Sequence, residues 1–251
     1  MSPLAVNLLL ASLSPSSRKR LMDASTAVPL PIRTNLYEPE ETPAYAYFMT
    51  SGIASVVTSV ADGGTAEVGL IGREGLAGGL HLLGPALVPT SCFIQLEATA
   101  LRMPLSELRN AFNSNEEIRD RILECVQEQT LSLAQIAGCH RLHTAEQRLA
   151  RWLLMAQDRT QSDVLVFTQE FLAMMLGSRR TTVTAVAGSL QSRGIIEYRR
   201  GRVMILDREK LEAAACDCYE VMRRLYSSLY KRELPEARNN HSQKLGISVR
   251  D

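Results

Sequence analysis

Two adjoining stretches in the C-terminal half of the chain carry apolar residues at the three- and four-residue spacing of amphipathic helices. The first has its apolar positions at Phe171, Leu172, Met175 and Leu176. Gly177 interrupts this pattern, and Ser178 is a favourable N-cap residue for a second helix. The inward stripe of the second helix is Val183, Val186, Ala187 and Leu190. The spacing therefore predicts a helix-turn-helix.

Two strand-like runs, Ile195–Arg199 and Arg202–Leu206, follow the helix pair and flank Arg200-Gly201, which favours a tight turn. The opposite face of the second helix offers guanidinium and hydroxyl donors beside small residues, as a helix in a DNA major groove requires. Its members are Arg179, Arg180, Thr181, Thr184, Ala185 and Gly188. The alternative interpretation is an ordinary packed helix pair whose arginines are solvated.

The N-terminal half begins with one or two short amphipathic helices within residues 4–24 and then changes to strand-like runs between turn signals. Tyr45–Val60 and Thr65–Leu70 are predicted to be antiparallel strands joined at Asp62-Gly63-Gly64, and Gln95–Met103 to be the last strand. Several short strands at this spacing favour a β-roll or barrel.

Residues 115–138 have a strongly helical pattern with one long apolar stripe. The stripe consists of Ile118, Ile122, Cys125, Val126, Gln129, Leu133 and Ile136. Such a stripe packs either on the roll or against the same helix of a second chain in a parallel coiled coil. Gly138–Arg141 is the predicted hinge, Thr144 with Gln147 matches a capping box for the next helix, and Leu211–Tyr230 is predicted to be a further helix.

The charge distribution changes this interpretation more than the composition does. With 251 residues, 45% of them hydrophobic, the chain is long enough for two modest domains. Residues 141–210 carry twelve basic and seven acidic side chains, a net charge of +5, whereas residues 1–140 carry nine and fourteen, a net charge of −5. A basic half joined to an acidic half is typical of a DNA-binding domain attached to a sensor.

The five scattered cysteines make no disulfide framework, and no apolar stretch approaches the roughly twenty residues that span a bilayer. A cytoplasmic protein without membrane contact is therefore expected.

Catalysis is not expected, because no nucleophile–base pair or complete phosphate loop occurs. No metal is expected either. His140 and His143 are interpreted as hinge residues, and Cys216 and Cys218 as buried small apolar residues.

The segment Phe167–Val183 resembles the winged helix-turn-helix of the Crp/Fnr family of bacterial transcription regulators. His140–Leu154 is similar to the segment that joins the dimer helix of that family to its DNA-binding domain, and the resemblance extends from about residue 30 to residue 215. It implies an α+β chain with a double-stranded β-helix (the β-roll) in residues 1–114 and a dimerisation helix and hinge in residues 115–139. The winged helix-turn-helix would then occupy residues 140–215, followed by an extra helix and flexible tail in residues 216–251.

The resemblance also implies partners and roles. The partners are double-stranded DNA, a second copy of the chain through the residue 118–136 stripe and, as a candidate, RNA polymerase. A two-fold dimer presents two reading helices about one DNA turn apart to a near-palindromic site. The expected base contacts are Arg180, Thr181, Thr184 and Ala185. The expected phosphate contacts are Thr168, Arg179, Arg199, Arg200 and Arg202.

Two departures from the family limit what the resemblance carries over. The best-known members have an acidic residue at the position of Thr181 or an arginine at that of Ala185, so their operator is not transferred. In the glycine-rich Ile71–Leu80, Gly79 stands where a cyclic-nucleotide cassette has a carboxylate, and Val88–Cys92 contains no arginine. We therefore expect no cyclic nucleotide and no cofactor. The alternative function is a sensing module of the same fold that no longer binds DNA. The sequence does not identify an effector.

Overall fold

The computed structural model describes residues 6–59, 64–84, 87–167 and 169–230. Two short helices begin it, α1 (Leu8–Ala11) and α2 (Pro15–Asp23), as the apolar pattern predicted. Side chains cap both helices: Asn7 accepts a hydrogen bond from the Leu10 amide, and Ser14 from that of Ser17. The side-chain amide of Asn7 also donates to the carbonyl groups of Met49 and Gly75, which attaches α1 to the sheet.

Six antiparallel strands form the N-terminal sheet, which we call the roll. They are β1 (Thr26–Leu30), β2 (Asn35–Tyr37), β3 (Tyr45–Ser59), β4 (Thr65–Ile71), β5 (Leu76–Ala77) and β6 (Thr90–Pro104). The order is β1-β6-β3-β4, while β2 also pairs with β6 and β5 with β3. The strand predicted over residues 65–70 is confirmed, and the one predicted from residue 45 is confirmed as far as Ser59. The last strand, predicted over residues 95–103, begins earlier, at Thr90. Of the predicted Asp62-Gly63-Gly64 turn, residues 62 and 63 lie outside the described residues.

The two long strands β3 and β6 give the sheet different apolar surfaces. One cluster comes from β1 to β6 and holds Leu30, Leu36, Tyr37, Met49, Ala54, Ile71, Ala77, Cys92, Ile94, Ala98 and Ala100. Ile53, Leu70 and Leu96 belong instead to the core of the C-terminal part, where they share one cluster with Trp152. The roll and the C-terminal part therefore share a hydrophobic core.

Helix α3 (Leu105–Ser114) is followed by the long helix α4 (Glu116–Leu142). Asn115 caps α4 by accepting from the Ile118 amide. Helix α4 continues through Gly138–Arg141, the predicted hinge, and the chain leaves the helix at His143. Gly138 is tolerated inside this long helix at a cost of about 1 kcal/mol relative to alanine.

The C-terminal part contains the predicted helix-turn-helix and wing. It consists of α5 (Ala145–Thr160), β7 (Val164–Val166), α6 (Gln169–Met175), α7 (Arg180–Ser192), β8 (Ile196–Arg199), β9 (Arg202–Ile205), α8 (Arg208–Ala214) and α9 (Cys218–Tyr230). The capping box of Thr144 and Gln147 at the start of α5 is confirmed. The wing has a third, unpredicted strand, since its order is β7-β9-β8.

Two local predictions need correction. Arg179 and not Ser178 is the N-cap of α7, and the Ser178 hydroxyl is buried with no hydrogen-bond partner among the described residues. The single helix predicted over Leu211–Tyr230 is interrupted, because α8 ends at Ala214 and α9 begins at Cys218. Helix α9 then packs along α4. None of the helices in the described ranges has the length and apolar character needed to cross a membrane.

Candidate nucleic-acid interface

The turn between α6 and α7 depends on Gly177, whose φ of +54° lies in the left-handed region. The Leu176 and Ser178 amides donate to the carbonyl groups of Leu172 and Ala173, closing α6. Helix α7 then buries Val183, Ala187 and Leu190 completely or nearly so. This is the predicted stripe, with its fourth member, Val186, only partly buried, and it determines which side of α7 faces outwards.

The outer side of α7 carries all the predicted base-contact residues. Arg180, Thr181, Thr184 and Ala185 are exposed. The Thr184 hydroxyl donates to the Arg180 carbonyl at 3.0 Å, so its proton is used within the helix. Thr184 therefore presents its methyl group and oxygen lone pairs to a ligand, whereas Thr181 and Arg180 provide donors.

The wing concentrates positive charge at its tip. Arg200 and Gly201 have φ values of 50° and 77°, which is the conformation of a tight hairpin turn, and Arg199 pairs directly with Arg202 across the two strands. Like charges directly opposite each other destabilise a hairpin. The three exposed arginines, with Glu197, border a surface cleft of about 570 Å³. An anion placed there would relieve their repulsion.

The remaining predicted phosphate contacts differ in position. Arg179 is exposed at the start of α7 and borders a cleft of about 410 Å³ between the helix-turn-helix and the roll. Thr58, Thr65 and Ala66 line the roll side of this cleft. Arg179 therefore lies at the edge of the interface and not at its centre. Thr168 lies outside the described residues.

Most of the predicted dimer stripe on α4 faces the chain's own core. Ile118, Ile122, Cys125 and Val126 are buried in the chain's own core with α1, α2, α3 and the roll. Ile136 belongs to the core around Trp152, and Gln129 is half-buried. These side chains face inwards because the apolar stripe is needed to attach α4 to the roll. Of the predicted set, Leu133 is exposed, at 42%.

Two buried polar contacts join the roll to α5. The Trp152 indole donates to Glu67 on β4 at 2.7 Å, and Ser55 on β3 also contacts Glu67. Between β4 and β5, Glu74 accepts from the Arg159 guanidinium at 2.6 Å. We call the contacts of Glu67 with Trp152 and of Glu74 with Arg159 the joint. The joint fixes α5, and with it the helix-turn-helix, against the roll.

Comparison with known proteins agrees with this geometry. Residues 147–214 match the model of the Crp-like helix-turn-helix domain. A search of curated proteins by sequence found no match. A Crp/Fnr family transcriptional regulator from Eubacterium rectale has a similar structure, with 15% identity, a TM-score of 0.65 and coverage of 82% of this chain and 96% of that one.

A second solved structure of this fold is a CRP/FNR family transcriptional regulator of Thermus thermophilus, with 21% identity, a TM-score of 0.63 and coverage of 76% and 98%. The c-di-GMP responsive global regulator of Xanthomonas campestris has 18% identity, a TM-score of 0.62 and coverage of 76% and 99%. The chain therefore has the fold of Crp/Fnr family regulators, and residues 147–214 match the Crp-like helix-turn-helix domain.

In this Crp/Fnr-like fold, the sequence interpretation found the exposed face of α7 and the wing but missed the joint. Glu67, Glu74 and Arg159 were not singled out, although a glutamate in the middle of an apolar strand is unusual. Burial raises the pKa of Glu67 to about 7, against the opposing effect of its hydrogen bonds with Ser55 and Trp152. The glycine-rich segment serves packing, since a Cβ at Gly72 would lie 2.8 Å from Cγ of Arg159.

Proposed function

We propose that this Crp/Fnr-type regulator binds a near-palindromic duplex site as a homodimer and that cyclic nucleotides do not control it. The observation that carries the DNA part of the proposal is the outer side of α7. Its exposed guanidinium, hydroxyl and small side chains lie next to a wing of three exposed arginines. A helix with these groups suits the major groove, and the wing suits the phosphates beside it.

The roles divide by position. Arg180 is in the first turn of α7, where a reading helix contacts base edges, and a bidentate pair with guanine is the natural role of its guanidinium. Thr181, Thr184 and Ala185 face the same side and provide hydroxyl and methyl contacts. Arg179, Arg199, Arg200 and Arg202, with Thr168, are proposed to contact phosphates.

The proposed dimer uses the side of α4 that the roll leaves uncovered. Its exposed residues are spaced by four and three in alternation, as the a and d positions of a coiled coil are: Leu123, Gln127, Thr130, Ala134, Ala137 and Arg141. The small residues near the end of α4 would allow two such helices to approach closely. Helix α9 covers the neighbouring side, where Leu131 and Leu229 border one groove.

The proposal that cyclic nucleotides do not act here rests on the roll. Gly79 stands where the family has a carboxylate, and a Cβ built there would lie 3.4 Å from Cδ2 of Leu76 and 3.5 Å from Cγ2 of Val126. A glutamate at this place would therefore point at apolar side chains. Without that carboxylate and without an arginine in residues 88–92, an anionic phosphate lacks its charged partners.

Selection of bound sites from random duplex DNA tests the function. We expect one near-palindromic site to be enriched, and we expect Arg180→Ala to weaken binding to that site by about 5- to 150-fold while binding to random DNA changes little. Arg193→Ala is the matched control, because Arg193 is near the other end of α7 and pairs with Glu146 at 2.6 Å. Equal loss on both DNAs would assign Arg180 to phosphate contact. Enrichment of no site would contradict DNA reading.

Sedimentation of the purified chain tests the dimer. The wild type should have the mass of two chains, and Ala134→Glu should give single chains, because a desolvated carboxylate would lie at the centre of the α4 face. Ala213→Glu is the matched control, since Ala213 is an exposed alanine on α8. A dimer that survives Ala134→Glu would place the contact elsewhere.

A further inference from the structure

Four potential metal ligands converge where α4 ends and α8 meets α9. They are Cys139, His143, Cys216 and Cys218, and one ligand atom from each lies within 4.8 Å of all the others. The three thiols are buried, and His143 is partly exposed. This thiol cluster is distant in sequence from the face of α7 proposed to read DNA.

The fold brings these residues together through two breaks in helical structure. Cys139 and His143 are one helical turn apart at the end of α4, where the His143 amide donates to the Cys139 carbonyl at 3.1 Å. Cys216 lies in the interruption between α8 and α9, and Cys218 is the first residue of α9. In an unbroken helix, side chains two positions apart would point away from each other. The interruption lets both thiols face α4.

The distances suit one metal ion. Sγ of Cys139 lies 3.5 Å from Sγ of Cys216, and Sγ of Cys218 lies 3.5 Å from Nδ1 of His143. In a tetrahedral zinc site with Zn–S bonds of about 2.3 Å, the sulfurs are about 3.8 Å apart. A [4Fe–4S] cluster would hold its cysteine sulfurs further apart, because each of them binds a different iron atom. A disulfide would require the two sulfurs to approach to about 2.0 Å.

The surroundings suit a metal-binding histidine and thiolates. Nε2 of His143 lies 3.4 Å from a carboxylate oxygen of Asp217, which leaves Nδ1 facing the thiols. The Gln135 side chain donates to Sγ of Cys218 at 3.0 Å. The charge of Arg151 acts on both Cys139 and Cys216, so its guanidinium lies near the thiols.

Arg151 itself is an unusual buried cation. Its side chain is in the core, and its Nε has no hydrogen-bond partner among the described residues. One guanidinium nitrogen contacts the sulfurs of Met155 and Met222, which are weak acceptors. A negatively charged centre nearby would stabilise this cation.

We propose that Cys139, His143, Cys216 and Cys218 bind one Zn²⁺ ion in a tetrahedral site. On binding, the three thiols release their protons to solvent and the imidazole binds in its neutral form through Nδ1. The resulting centre carries a net charge of −1, which Arg151 balances. The ion connects the end of α4 to the α8–α9 junction, so it fixes the C-terminal helices at the point where the roll half meets the DNA-binding domain.

Metal analysis of the full chain, purified with a thiol reductant and zinc and then desalted, tests the site. We expect one zinc per chain in the wild type and loss of zinc in Cys216→Ser. Cys125→Ser should keep its zinc, because Cys125 is also a buried cysteine of α4 but lies outside the cluster. Zinc retained in Cys216→Ser, or a wild type that remains free of zinc, would overturn the proposal.

Titration of the metal-free wild type with Co²⁺ keeps the test valid if Cys216→Ser does not fold. Three thiolates should give strong sulfur-to-cobalt absorption and the visible bands of tetrahedral cobalt. His143→Cys should preserve tetrahedral binding, whereas His143→Ala should weaken it. Cobalt binding without thiolate absorption would contradict the site. A Cys139–Cys216 disulfide in protein purified with reductant, detected as a mass lower by two hydrogen atoms, would also contradict it.

Discussion

Arg159→Met is expected to lower the free energy of unfolding by about 3–5 kcal/mol, since the variant leaves a buried carboxylate without its cation. The side chains of Arg159 and Glu74 are only 11% and 5% exposed, and they meet at 2.6 Å. Burial also raises the pKa of the nearby Glu128, and the charge of Arg159 opposes that rise. Removing the guanidinium therefore affects two carboxylates at once.

Denaturant unfolding of matched variants measures this effect. Arg193→Met is the control, because Arg193 forms an equally short pair with Glu146 but its side chain is 48% exposed, and a cost below about 1 kcal/mol is expected there. The double variant Arg159→Met with Glu74→Leu should recover much of the loss, because no charge in the pair remains buried. If Arg159→Met costs no more than Arg193→Met, the pair does not stabilise the joint.

The second large effect is a dependence of stability on pH that originates at Glu67. Burial raises the pKa of Glu67 in the folded chain to about 7, above its ordinary value of 4.5. The protonated form is therefore favoured by folding. The stabilisation from protonated Glu67 is fully present below pH 4.5 and is lost as the pH rises through 7. The difference between the two pKa values corresponds to about 3 kcal/mol in the free energy of unfolding.

The hydrogen-bond partners of Glu67 can all be satisfied when burial keeps its carboxyl group neutral. Ser55 has one hydroxyl proton, and its oxygen lies within hydrogen-bond distance of both Glu67 and Gln95. A protonated Glu67 donates to the Ser55 oxygen, which leaves the hydroxyl proton for the Gln95 carbonyl oxygen. The other carboxyl oxygen accepts from the Trp152 indole. A charged Glu67 would compete with Gln95 for the same proton.

Glu67→Gln tests this account by removing the titration and keeping an acceptor for Trp152. The free energy of unfolding of the variant, relative to that of the wild type, should rise between pH 4.5 and pH 8 by about 3 kcal/mol in total. Glu97→Gln, on the exposed side of β6, should show no such trend. A difference between wild type and Glu67→Gln that is the same at pH 4.5 and pH 8 would show that Glu67 is not the source.

The elements that sequence reasoning predicted well are those whose signal is local. Periodicity within a few residues predicts the two stripes of the helix-turn-helix and the two strands beside Arg200-Gly201. The positive φ at Gly177 likewise depends only on the glycine itself and its neighbours in sequence. The capping box at Thr144 is equally local. The structure therefore confirms these features.

The features that failed depend on contacts between distant segments. An apolar stripe shows that one side of α4 is covered but not by what, and here the roll covers Ile118 and Ile122. Similarly, nothing local marks the break between α8 and α9, which brings Cys216 and Cys218 to the end of α4. The joint pairs residues 85 positions apart, a separation that periodicity does not detect.

The shared core around Trp152 limits how an effector could act on the proposed function. Ile53, Leu70 and Leu96 of the roll pack in the same cluster as the helices of the winged helix-turn-helix. Turning α7 to a new orientation would therefore require separating those surfaces and the polar groups between them. A signal can change the orientation only if it binds the second arrangement more tightly by at least that free energy.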